Sequence, residues 1–256
     1  MNKYREFKAQ CASEIDLMGN DTAIQESSIA WMQRANAFNY SYHFEWLGRP
    51  IIQYPQDIVA LQEIIWDVKP DLIIETGIAH GGSLILNSSI LALLDLFDLE
   101  NGVTRHRPRR VLGIDIDIRS HNKLAILEHP LGSRIEMLEG SSTSVEIRTK
   151  LKTSIEGYEK VMVILDSNHT YDHVKEELKI YSEFVTPGQF LVVFDTVIEK
   201  FDDGTFPNRI WGKGDNPMIA VAEFLEFNKD FEVIKEIENK LLVTVAPNGY
   251  LRKIVK

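Results

Sequence analysis

Two aspartates close apolar runs: Asp166 ends "KVMVILD" and Asp195 ends "QFLVVFD". If the runs are neighbouring strands of one parallel sheet, both carboxylates arrive at the same place beyond the sheet edge. Two hard oxygen ligands there suit Mg²⁺ or Mn²⁺, cations that keep several waters of their own. His169 lies three residues past Asp166, in the same loop, and is placed to take a proton from a substrate hydroxyl. An imidazole does not deprotonate an alcohol unaided, but a divalent cation beside that oxygen lowers the barrier. Asp166, His169 and Asp195 therefore read as a device for activating a hydroxyl. His173, one helical turn further on, reads as a helix-surface residue.

A second group of residues lies in "DLIIETGIAHGGSLI". Glu75 follows an apolar run, and Gly77, Gly81 and Gly82 follow Glu75. The spacing matches neither the dinucleotide G-x-G-x-x-G nor the P-loop, and no lysine is present to meet a phosphate. A carboxylate here would repel a pyrophosphate and attract a cation. S-adenosylmethionine carries positive charge at its ammonium and sulfonium groups. The glycines let backbone approach closely, and N–H groups near Gly81 and Ser83 at a helix start can meet its carboxylate. Asp115 in "GIDID" is the expected partner of the ribose hydroxyls, with Asp117 next. Ser141 and Ser142, after "EMLEG", are small and polar enough to line an adenine edge. An NAD(P)-dependent oxidoreductase is the alternative within the same fold class, because an acid at that position serves either cofactor.

The elements that must position these residues alternate between β-rich runs and helical patterns from Asp71 onward. Such alternation predicts a doubly wound, mostly parallel α/β sheet. Its strands should be nearly continuous apolar runs, as they are. Seven strands are counted: five in β-α alternation, then a helix, then an antiparallel hairpin made of "FEVIKE" and "KLLVTVAPN". Residues 1–50 form an expected N-terminal helical and aromatic extension, a lid or a contact in a homo-oligomer; residues 51–256 form the catalytic domain. The long segment Glu199–Pro217 lies beside the expected metal and is too long to be a plain connection. Trp211, Asn216 and Asp215 are its candidate substrate or lid residues.

Composition limits the function classes. The 256 residues are 44% apolar and 26% charged, with a formal net charge of −10. That balance argues against a nucleic-acid partner. The basic stretch "RHRPRR" at 105–110 reads as a solvated loop. A single cysteine, Cys11, leaves no internal disulfide and fits a reducing, cytoplasmic setting. No apolar signal region begins the chain, and no run approaches the roughly 20 apolar residues of a membrane span.

"WLGRPIIQYPQDIVALQEIIWDVKPDLIIETGIAHGGS", "VLGIDIDIRSHN", "LDSNHTYDHV", "VFDTVIE" and "WGKGDNPMIAVAEFL" together resemble the cephalosporin hydroxylase/rhamnosyl O-methyltransferase family, from about Trp46 onward. The resemblance implies a class I, Rossmann-like methyltransferase fold using S-adenosylmethionine. It implies Mg²⁺-assisted transfer to a hydroxyl of a sugar or glycosylated small molecule. Similarity to the wider Mg²⁺-dependent O-methyltransferases puts the metal aspartates at Asp166 and Asp195 and a third ligand at Thr196, where those enzymes have Asn. A metal-binding Glu of the cephalosporin branch falls on Phe194, which cannot bind metal, so Asn168 is a substitute oxygen. The catalytic Lys of the catechol enzyme falls on His169. The departures at Phe194 and Thr196 also allow a non-catalytic relic that binds adenosylmethionine or a partner.

Overall fold

The computed structural model describes residues 2–255; Met1 and Lys256, the outer bounds of the two expected units, lie outside them. The chain opens with helices α1 (Lys3–Asn20) and α2 (Thr22–Asn36), then a 3₁₀ turn and a small antiparallel hairpin, β1 (Phe44–Trp46) and β2 (Arg49–Ile51). Helix α3 (Pro55–Val68) leads into β3 (Leu72–Thr76), α4 (Gly82–Glu100), β4 (Arg110–Asp115), α5 (Ser120–Leu127), β5 (Ile135–Glu139) and α6 (Val145–Ser154). Then come β6 (Val161–Leu165), α7 (Tyr171–Tyr181), β7 (Phe190–Val193), α8 (Pro217–Phe227), β8 (Phe231–Val233), α9 (Lys235–Leu241) and β9 (Tyr250–Lys253).

The main sheet has seven strands in the order β5-β4-β3-β6-β7-β9-β8. All pairs are parallel except those of β9 with β7 and β8. Strand order reverses between β3 and β6, so the crevice for a ligand opens at their carboxyl ends. Both strands are buried along their whole length. Their alternating side chains feed two cores. Ile73, Met162 and Ile164 pack with α3 and α4 on one face, while Leu72, Ile74, Val163 and Leu165 pack with α6, α7 and α8 on the other. This double burial explains why these strands show no polar alternation in sequence.

Three expectations are corrected. The antiparallel pair at the end of the chain exists, but its second strand is Tyr250–Lys253 rather than "KLLVTVAPN". Lys235–Leu241 is helical, with Ile234, Ile237 and Leu241 turned onto the core at helical spacing. Thr244, Val245 and Ala246 are apolar-rich because they are buried in an irregular loop beneath α3, not because they form a strand. The basic stretch at 105–110 is not wholly solvated: Arg109 is 3% exposed and paired with Asp95 (2.7 Å) and Asp98 (2.9 Å), and Arg105 pairs with Asp71. Finally, α4 is long and apolar enough to cross a membrane by length and composition, although no such run was expected. Its Leu84, Ile85, Leu91 and Leu94 are fully buried in the core of this fold.

Buried Asp57 ties α3 to the C-terminal loop. It accepts hydrogen bonds from the Thr244 hydroxyl, Val245 N (3.0 Å) and the Tyr250 hydroxyl (2.7 Å). Burial pushes its carboxyl from 3.8 up to about 6 against the opposing pull of these donors. The folded state therefore holds the proton more tightly than the unfolded chain, and stability contributed by this group is lost as pH rises from about 4 to 6. The expected size is roughly 3 kcal/mol, at 1.36 kcal/mol per unit. Urea unfolding of wild type and Asp57→Asn at pH 4 and pH 7 checks this: the wild type should lose that much relative to the variant.

Candidate active site

The carboxyl ends of β3, β6 and β7 open into a cavity of about 1010 Å³. Leu165 of β6 sits opposite Val193 of β7 in register, so the residues that follow leave the sheet at one level. Asp166, His169 and Asp195 meet there, each offering a ligand atom within 4.8 Å of the others. His169 Nε2 lies 3.1 Å from Asp195 Oδ2. The Trp211 ring stands edge-on to the imidazole, 5.2 Å between centroids at 81°.

Asp195 has φ 57°, the left-handed region. That conformation costs an L residue roughly 1–2 kcal/mol and is seen most often where a side chain must be aimed. Gly77, at φ 91°, lets the end of β3 press against β6: a Cβ there would lie 2.0 Å from the Asp166 carbonyl oxygen. Desolvation, followed by the charges of Asp195 and Glu75, holds the Asp166 carboxyl well above its usual range. Two carboxylate ligands around a shared point, with the imidazole beside them, fit a small divalent cation, which would relieve that crowding of negative charge.

The residues expected to hold the cofactor are divided by the fold. Gly77, Gly81 and Ser83 line the cavity. Glu75 does not: it is 1% exposed, beneath the glycine loop, and accepts hydrogen bonds from the Ser83 hydroxyl and Asn87 Nδ2 (2.7 Å). Burial raises its carboxyl to about 7, so its link to the cavity runs through Ser83. Asp115 accepts from the amides of Ile78 (2.8 Å), Ala79 (3.3 Å) and Asp117 (3.1 Å), and so holds the loop in shape. Ser141 contacts Thr143, and Ser142 lies 3.2 Å from His173 Nε2.

Thr196 is a correction. It opens the 3₁₀ turn Thr196–Lys200 beyond β7, is fully buried, and its hydroxyl donates to the Pro247 carbonyl at 2.6 Å, away from the aspartates. Thr196→Val should leave activity within about twofold while costing about 1–2 kcal/mol of stability, because Pro247 loses its donor; parallel rate and urea-unfolding measurements check both. The substitute oxygen of Asn168 is also committed, accepting from Thr170 N and Oγ1 at 2.9 Å each. Phe194 is buried core. Trp211 lines the cavity, whereas Asn216 is fully buried and caps α8 while donating to Glu199 (2.6 Å). Asp215 accepts from Tyr171 N at 2.7 Å and so secures the start of α7.

Sequence reasoning missed the setting of one residue. His173 is not a plain surface residue, because its Nε2 contacts the Ser142 and Ser167 hydroxyls (3.2 Å each) and buried Glu177 (3.4 Å). The His173–Glu177 spacing of four was the available signal. The N-terminal extension, expected as a lid or an oligomer contact, lines the cavity through Gln33 and Asn36 of α2 and Tyr42, joined by Tyr54. The expected boundary after Pro50 falls inside β2.

A class I methyltransferase fold with its glycine loop facing an acidic pair defines an adenosylmethionine-dependent O-methyltransferase. The rhamnosyl O-methyltransferase/CmcI family model matches residues 38–254, and the chain belongs to that family. This removes the NAD(P) alternative. A rhamnosyl O-methyltransferase of Mycobacterium tuberculosis (strain ATCC 25618 / H37Rv) is 31% identical over 200 residues, 76% of this chain and 72% of its own length. Among solved structures, the O-methyltransferase TomG of Streptomyces achromogenes, in complex with SAM, has a TM-score of 0.52 at 16% identity, over 92% of this chain and 91% of that one. CmcI with Mg and SAM has a TM-score of 0.50 at 16% identity, over 84% and 78%. At these identities the structural likenesses speak for the fold.

Proposed function

We propose that this protein methylates a hydroxyl of a neutral, sugar-like acceptor, a sugar or a glycosylated small molecule, with adenosylmethionine against the glycine loop and Mg²⁺ at Asp166 and Asp195. The observation that carries this reading is the character of the cavity lining that Asp166 and Asp195 share. The cavity lining includes the carboxamides of Gln33, Asn36 and Asn208 and the rings of Tyr42, Phe206 and Trp211. Amides and aromatic faces suit hydroxyl-rich rings, and Arg209 is the one Lys or Arg side chain among the described lining residues. The cavity is at the upper end of ordinary ligand pockets, roughly 300–1,000 Å³, so it has room for a cofactor and a second molecule. The Glu199–Pro217 segment forms a wall of this space and does not plug it, which favours an enzyme over a non-catalytic relic.

Bound adenosylmethionine supplies an electrophilic methyl on a positively charged sulfur. A cation held by Asp166 and Asp195 would lower the pKa of a hydroxyl presented to it. The chain's own residues do the rest. His169 lines the cavity beside this point and can receive the hydroxyl proton on the ring nitrogen that does not face Asp195; its Nε2, 3.1 Å from Asp195 Oδ2, pairs with that carboxylate, which stabilises the charge that forms on the ring. Trp211, packed on Phe206 at 4.8 Å, fixes the imidazole from its edge and shields it from water.

The test is incubation with labelled adenosylmethionine and Mg²⁺ against glycosides, catechols and carboxylates. Label should appear on a glycoside oxygen; transfer to a carboxylate or a nitrogen overturns the reading. His169→Ala should slow the reaction about a hundredfold, the usual worth of a general base. Trp211→Ala should raise the acceptor KM about tenfold, in line with loss of one aromatic contact.

A further inference from the structure

The glycine loop is held in an unfavourable shape. Gly77, Ala79 and Gly81 have φ values of 91°, 46° and 83°, and Ala79 has no glycine's freedom to accept it. Bonds from outside must offset that strain. Asp115 takes the amides of Ile78 and Ala79, as described above. The carbonyls are taken from the other side. Asn122 of α5 donates Nδ2 to Ala79 O at 2.9 Å. Arg49 of β2 donates Nε (3.1 Å) and Nη2 to His80 O, and Nη2 also reaches Asn122 Oδ1 at 3.2 Å.

The hairpin carrying Arg49 is itself fixed to the same region. Trp46 Nε1 donates to Ser89 Oγ of α4 at 3.0 Å, and His129 Nε2 lies 3.1 Å from Leu47 O. At Gly82 the backbones touch: a Cβ there would be 2.3 Å from Pro50 O. Hairpin and loop thus form one body.

We propose that Arg49 of β2 is a positioning residue for the cofactor loop. By engaging the His80 carbonyl directly and the Ala79 carbonyl through Asn122, Arg49 keeps the loop's oxygens turned from the cavity. The Gly77, Ile78, Ala79 and Gly81 amides are already bonded, so the N–H groups of His80, Gly82 and Ser83 are the ones left to meet the carboxylate end of the cofactor. The ligand named here rests on the adenosylmethionine reading above; the mechanical role does not.

The experiment compares wild type with Arg49→Ala, Arg49→Lys and Trp46→Phe. Trp46→Phe removes the hairpin's bond to Ser89 without touching a loop carbonyl. Two quantities are read: amide hydrogen exchange across residues 78–83 in the protein alone, and calorimetric affinity for adenosylhomocysteine. Loss of a bond from a charged donor should speed loop exchange and weaken affinity about tenfold each in Arg49→Ala. Arg49→Lys should recover part of both, since an ammonium can reach His80 O but cannot also bridge to Asn122. Trp46→Phe should lower the melting temperature while leaving exchange and affinity within about twofold of wild type. Unchanged loop exchange in Arg49→Ala, or equal acceleration in Trp46→Phe, overturns the proposal. If wild type itself fails to bind adenosylhomocysteine, the cofactor reading falls, and the exchange measurement alone decides the role of Arg49.

Discussion

Asp166→Asn and Asp195→Asn are each expected to lower methyl transfer about a thousandfold, roughly 4 kcal/mol of barrier, with the fold intact. Each change keeps the shape of the side chain and removes one of two negative charges that share a site. Asp166 carries a carboxyl already pushed upward by desolvation and by Asp195. Without a cation the pair repels itself, so losing one charge should not unfold the protein and should raise its apo stability slightly. Activity and stability should therefore move in opposite directions, which a merely structural pair would not do. Adding EDTA to wild type should reproduce the loss, and Mg²⁺ should restore it. Full activity of the EDTA-treated enzyme would show that these carboxylates serve the acceptor or the fold instead.

How far the sequence could carry the reader depended on where burial was uniform. β3, β4, β6 and β7 were legible because strands covered on both faces must be apolar throughout, and their last residues then had to lie at the sheet's carboxyl edge. Asp166, His169 and Asp195 were found by that reasoning. The same reasoning failed at "KLLVTVAPN", which starts in α9 and continues as an irregular loop; there only residues 244–247 are buried, and Asp57 meets the Val245 amide in place of a strand partner. Glu75 was read as facing a ligand, but side-chain alternation in β3 turned it under the loop to Ser83 and Asn87. Thr196 was assigned by matching positions in relatives, and matching cannot say that a hydroxyl already has Pro247 as its acceptor. Arg49 gave no local signal at all. Its partners are 31 and 73 residues away, and only the folded chain brings them together.

Gly77→Ala should be among the most damaging single substitutions outside the acidic cluster. The added methyl would sit 2.0 Å from the Asp166 carbonyl oxygen and 2.7 Å from its carbonyl carbon, and both are backbone atoms of the adjoining β6–α7 loop. Neither can swing aside as a flexible side chain would. The backbone at φ 91° adds strain of its own for an L residue, roughly 1–2 kcal/mol. Relief requires β3 and β6 to part at their carboxyl ends, which moves Asp166 away from Asp195 and unseats the glycine loop together. The expected result is a stability loss above about 3 kcal/mol and no measurable methyl transfer. Gly204→Ala is the matched control: its φ is 77°, yet nothing lies within 4 Å of the new methyl. That variant should lose only about 1 kcal/mol from the backbone and keep its activity. Thermal unfolding and adenosylhomocysteine calorimetry on the two proteins separate strain from collision. Equal behaviour of the two would mean that contact between the strand ends does not set the site.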